Sequence, residues 1–160
     1  MGYFALVCLL AVWVFISSIV KPVQAENYDK EILAGFDFSG KNLIGSQFNK
    51  TDLHNAKFVN ANLQGVSLFG ANMTGADFTA ANLSFTTLDT ARMNEVNLTN
   101  ANLEGAFAYG TSFDGAIING ADFTDVDLRP AVLKKLCQTA SGTNPITGRK
   151  TRATLGCDQG

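Results

Sequence analysis

The chain predicts an all-β solenoid, a stack of very short strands and bends, and three observations carry that reading. A large apolar residue returns every fifth position, from Phe38, Leu43, Phe48 and Leu53 on to Phe123, Leu128 and Leu133, and lapses only at Ala108. Two residues earlier the side chain is usually small, as at Ala56, Ala61, Ala71 and Ala76. Two residues later glycine recurs, as at Gly40, Gly45, Gly65 and Gly70. A strict period of five fits neither a helix, near 3.6, nor a flat strand, near 2. Each unit therefore reads as a short strand with one large and one small inward side chain, closed by a bend that tolerates positive φ. So small a unit cannot bury its own apolar face and must stack on others.

The strings Ala61-Asn62-Leu63-Gln64-Gly65 and Ala76-Asp77-Phe78-Thr79-Ala80 strongly resemble the pentapeptide-repeat family, over roughly residues 36 to 132. The resemblance implies a right-handed quadrilateral β-helix with four pentapeptides per coil. A coil then takes about twenty residues and rises about 4.8 Å. Nearly five coils would make a rod on the order of 20–25 Å long. On that count the core sorts into four faces. Phe38, Phe58, Phe78, Leu98 and Ile118 share the first, and Leu43, Leu63, Leu83, Leu103 and Phe123 the second. Phe48, Leu68, Leu88, Ala108 and Leu128 share the third, and Leu53, Met73, Met93, Phe113 and Leu133 the fourth. Like stacks on like, which supports four units per coil independently. Burying each large side chain contributes about 1.5–3 kcal/mol before entropy is set against it.

Within this frame the outward residues also align. Asn42, Asn62, Asn82 and Asn102 precede the second-face leucines and predict an amide ladder between coils, a structural device. Phe36 and Lys41 stand where the pattern asks for something small, which predicts an irregular first coil. At Ala108 either Phe107 or Tyr109 folds in to fill the core, or the coil narrows.

Four segments follow: 1–25, a signal peptide or an uncleaved anchor; 26–35, an N-terminal cap; 36–129, the solenoid; 130–160, a C-terminal helix and tail. Phe4 to Val20 is a nearly unbroken apolar run, and Val23-Gln24-Ala25 fits a small-residue cleavage site before Glu26. Retained, the same run would just span a thin bilayer and would be the chain's one membrane contact. Tyr28 to Leu33 is expected to cover the first coil. Pro130 followed by Ala131-Val132-Leu133-Lys134-Lys135-Leu136 predicts a short amphipathic helix over the last. Past the leader only Cys137 and Cys157 remain, an even pair in an exported chain, which reads as one disulfide. Closing a loop of about twenty residues stabilises by roughly 3 kcal/mol. The strings Leu136-Cys137, Ser141-Gly142-Thr143-Asn144-Pro145 and Leu155-Gly156-Cys157 resemble the lumenal pentapeptide proteins of oxygenic phototrophs. That resemblance implies a thylakoid lumen or periplasm of a cyanobacterium-like cell.

Chemistry is scarce. His54 is the one histidine and falls on an outward position; no nucleophile elbow and no clustered metal ligands appear. The expectation is a non-enzymatic chain with no cofactor, with a ligand site or cryptic enzyme under the Cys137–Cys157 flap as the alternative. The net charge of −2 divides into an acidic rod and a basic end, Arg129, Lys134, Lys135, Arg149, Lys150 and Arg152. That end reads as a solvated cap, or as a patch orienting the rod on an anionic partner. Some pentapeptide proteins imitate DNA and inhibit topoisomerases, which demands dense acid and a cytoplasmic address. A modest acidic excess behind an export signal argues against it, and no nucleic-acid partner is expected. The better candidate surface is aromatic: Phe69, Phe107 and Tyr109 point outward on the third face, with Phe85 at the corner entering it. The chain reads as an exported, rigid interaction or scaffold module for a protein partner.

Overall fold

The computed structural model describes residues 25–158, so the expected signal segment lies outside the described residues apart from Ala25. From Asn27 onward each pentapeptide contributes one bridging residue and a two-residue turn. Every bridge along the repeats is parallel and joins residue i to i+20, as in the column Asp37, Lys57, Asp77, Asn97, Ile117. One circuit therefore takes twenty residues and four strands. Two backbone bonds make each rung: Phe38 N–H donates to Lys57 O at 2.7 Å, and Lys57 N–H to Phe36 O at 2.8 Å. The corner is closed by a turn, as where Ala61 N–H donates to Phe58 O at 3.0 Å. Its third residue must take positive φ. Asn60, Ala80 and Asn100 do so at 55–59° on a corner that begins with Gly40 and ends with Gly120. Asn tolerates that region, and Ala80 is held there by the coil.

The interior is filled by side chains. On the first face Phe38, Phe58 and Phe78 stack almost parallel, with centroids 5.0 and 4.7 Å apart. Buried threonines at the small position find backbone acceptors: Thr86 Oγ1 donates to Leu83 O in its own turn, and Thr111 Oγ1 to Leu88 O in the preceding coil, both at 2.7 Å.

Several expectations are corrected. No separate cap spans 26–35: Asn27 and Ile32 bridge Gln47 and Asp52, and Tyr28 and Leu33 take central inward positions. Tyr28 stacks on Phe48 at 4.7 Å. The first coil keeps a regular backbone, because Phe36 and Lys41 lie exposed at its rim, with the Phe36 ring 5.3 Å from that of Phe38. No preceding described coil crowds them, and Lys41 Nζ lies 5.4 Å from the Phe38 ring centroid. The amide ladder forms a single rung, Asn82 Nδ2 to Asn62 Oδ1 at 3.2 Å. The Oδ1 atoms of these asparagines are instead engaged by turns, accepting Gln64, Ser84 and Glu104 N–H two residues on. At Ala108 neither aromatic neighbour folds in: Phe107 and Tyr109 are 54% and 56% exposed. Phe113 and Phe123, on the flanking faces, meet edge to face at 6.3 Å and bring aromatic volume where earlier coils hold Leu or Met. Gly110 in the following turn lacks the positive φ its counterparts Gly70 and Gly105 take.

The chain leaves the ladder after Asp127. Helix α1 (Pro130–Thr139) follows, with proline in its first turn. It takes Leu133 out of the fourth-face ladder and buries Leu136 against the core. A tail containing α2 (Thr151–Thr154) returns over the last coil.

The C-terminal flap and the aromatic wall

The last coil has no successor, so its upward backbone groups need other partners. The tail supplies them. Gly120 N–H donates to Ser141 O at 2.8 Å, and Phe123 N–H to Thr154 Oγ1 at 3.1 Å. Fully buried Asn144 donates its amide to Asn100 O, Ala101 O and Gly120 O at 3.0–3.2 Å. Its Oδ1 accepts the N–H groups of Ile146 and Thr147, which shapes the turn beyond. Cys137 and Cys157 form the disulfide that ties α1 to the chain end.

Arg149 fastens the same flap. Its Nε donates to buried Asp122 at 2.7 Å, and its Nη2 to Glu104. Burial pushes the Asp122 carboxyl up, but hydrogen bonds from Thr124 and Thr147 and the Arg149 charge outweigh it and hold the group below the usual range. The hydrogen bond to Glu104 raises Arg149 in turn. Lys135 pairs with Asp114 at 2.8 Å and Arg152 with Asp158 at 2.9 Å. Three of the six basic residues of this end, Lys135, Arg149 and Arg152, are thus paired within the chain, although all but Arg149 stay exposed.

As to chemistry, His54 Nδ1 lies 3.0 Å from Asp52 on the fourth face, and Asn72 Nδ2 also donates to that carboxylate at 3.0 Å. The hydrogen bond to His54 leads the lowering of Asp52. This is an outward chain of hydrogen bonds, with Thr74 Oγ1 donating to Asn72 Oδ1 at 2.9 Å. Among the described residues no group of three His, Cys, Asp or Glu converges as metal ligands, and no helix is long and apolar enough to cross a membrane. At the flap, an open cleft of about 400 Å³ is bordered by Thr124, Asp125, Arg149 and Lys150. Beneath α1, Phe113, Val132, Arg129 and Lys135 line a smaller groove of about 160 Å³.

The four aromatics read from the sequence all face solvent. Phe69 is 40% exposed, and Phe85, Phe107 and Tyr109 are each more than half exposed. Phe69 and Tyr109 share one outward column, two coils apart, with Asp89 between them accepting Tyr109 N–H at 3.1 Å. Phe107 lies one position to the other side of Ala108, bridging Thr87 and Asp127. Phe85 lies at the corner over Gly105, where a Cβ would fall 2.6 Å from a ring carbon. Exposed Ile32 and Ile117 escaped the sequence reading, although both occupy the bridging position that usually carries an amide or acid. Ile146 had no repeat position to betray it.

A four-sided coil that turns one corner every five residues defines a pentapeptide-repeat solenoid. The Pentapeptide repeats family model matches residues 33–65, 56–94 and 91–129, and the chain belongs to that family. Family membership carries the right-handed quadrilateral β-helix. A pentapeptide repeat protein of the Arabidopsis thaliana thylakoid lumen is 48% identical, over 82% of this chain and 91% of its own, with a TM-score of 0.80. A pentapeptide repeat protein from Nostoc PCC 7120 is 24% identical over 66% and 86%, with a TM-score of 0.56, a likeness of fold. No curated protein matches the chain.

Proposed function

We propose that this chain is an exported, non-enzymatic scaffold that presents its third face to a protein partner in a thylakoid lumen or periplasm. The lumenal address is supported by the similarity to the Arabidopsis lumenal protein and by the apolar leader ending in Val23-Gln24-Ala25. In this reading about five coils form a rod, and α1 with the disulfide-bound tail caps its C-terminal end. The observation that carries the role is the display of Phe107 and Tyr109 on either side of buried Ala108, on a coil whose interior is already filled. A stiff coil loses little conformational freedom on binding, and aromatic side chains deliver large contact area at low rotamer cost. Asn144, Arg149 and Asp122 beneath the flap are bonded to neighbouring groups, and only the buried Thr151 Oγ1 is left without a partner among the described residues, which favours a structural role there over a ligand site.

The test is capture from a lumenal extract on immobilised mature protein. The pair Phe69→Ser with Tyr109→Ser is expected to keep its circular dichroism and lose the captured protein. Capture unchanged by that pair would overturn the proposal.

A further inference from the structure

Asn119-Gly120 is the one Asn-Gly pair in the sequence, and the flap lies directly on it. Gly120 N–H donates to Ser141 O at 2.8 Å, and Ser141 Oγ donates to Asn119 Oδ1 at 3.3 Å. Gly142 presses on the same amide: a Cβ there would fall 2.2 Å from Asn119 Oδ1. Glycine fits closely at 120, since a Cβ would fall 2.2 Å from Asn100 Oδ1 and 3.3 Å from Thr143 O, and the Asn100 side chain or the tail would have to shift. The corner, with φ at 70°, thus favours the residue whose backbone nitrogen best attacks a preceding asparagine. The tail then ties up that nitrogen.

We infer that Asn119 is a deamidation site guarded by the disulfide-held flap. In the reaction the Gly120 nitrogen gives up its proton and bonds to Asn119 Cγ. The Cγ–Nδ2 bond breaks, and the amide nitrogen leaves as ammonia. Water then opens the five-membered imide at either carbonyl, leaving aspartate or an isoaspartyl link whose backbone runs through Cβ. No oxidant or reductant enters this step. With the flap closed, the bond from Gly120 N–H to Ser141 O holds both the proton and the backbone away from attack. The Cys137–Cys157 bridge closes a loop that contains Ser141, Gly142 and Asn144. A dithiol that exchanges with it, becoming a disulfide while freeing both cysteines, loosens the guard. An isoaspartyl link adds a methylene to the corner and moves Gly120 N away from Ser141 O, so the flap cannot reseat. The site would convert a period of flap release into a lasting covalent mark.

The experiment follows Asn119 by peptide mass spectrometry in mildly alkaline buffer, on the full mature chain. The oxidised protein, the protein held in dithiothreitol and an Asn144→Ala variant are compared with the same chain unfolded in urea. Hydrogen exchange at the Phe58 and Phe78 amides reports whether the coils remain folded. The oxidised protein is expected to deamidate at least about tenfold more slowly than the unfolded chain. The reduced protein and the variant, with those amides still protected, are expected to approach the unfolded rate. Oxidised protein reacting as fast as unfolded chain would overturn the inference, and that comparison requires no variant. Reduced, folded protein reacting as slowly as oxidised protein would overturn it equally.

Discussion

Asn144 donates its side-chain amide to Gly120 O at 3.0 Å, and so joins the tail to a corner carbonyl of the last coil. The same nitrogen serves Asn100 O and Ala101 O, and the residue is fully buried. No shorter side chain reaches those acceptors. Asn144→Ala is expected to cost about 3 kcal/mol, since it removes the donor to Asn100 O and Gly120 O, whereas Ala101 O keeps the Asp122 N–H. Denaturant unfolding of the oxidised protein measures it; Asn144→Asp should be worse still, because it brings an acceptor to acceptors.

Acid should release the flap through Asp122. Its folded pKa lies below the ordinary 3.8, so its stabilisation is present in full above that value and is lost as pH falls through the lower folded one. Arg149→Met removes a charge that helps hold it down. The variant's flap is therefore expected to open at a higher pH than the wild-type flap. Exchange of the Gly120 amide, followed from about pH 6 down to about pH 2, tracks the transition.

Buried Ala108 is flanked by faces that carry Phe113 and Phe123, which makes a further prediction. Ala108→Leu should destabilise by about 1–3 kcal/mol, because Ala108 is already buried and the flanking faces carry the large rings of Phe113 and Phe123. Combining it with Phe123→Leu should recover part of that loss, and a double-mutant cycle in thermal unfolding would show favourable coupling.

The coil was legible because the period of the sequence is the period of the structure. Inward and outward positions, the four faces and the exposed aromatics all follow from counting in fives. The start of the coil was not legible, and the reason is physical. Glu26, Glu31, Phe36 and Lys41 all take the position that is small elsewhere, and all four are exposed at the first rim. The requirement for a small residue comes from the coil behind, and the described chain places none there. The flap was legible only as a helix and a cysteine pair. Asn144 and Arg149 bond to residues 24 to 45 positions away, outside any repeat, and no periodicity marks such contacts. Arg149 read as surface charge because its partner Asp122 sits in a repeat position that ordinarily carries a solvated amide or acid.

The role of the third face is tested most directly by where a partner touches the rod. A photo-crosslinking side chain is placed at Tyr109 in one protein and at Val59, on the opposite first face, in another, and each is activated in the native lumen or periplasm. The account predicts a discrete protein adduct from position 109 and none from position 59. Adducts from 59 alone, or equally from both, would contradict it.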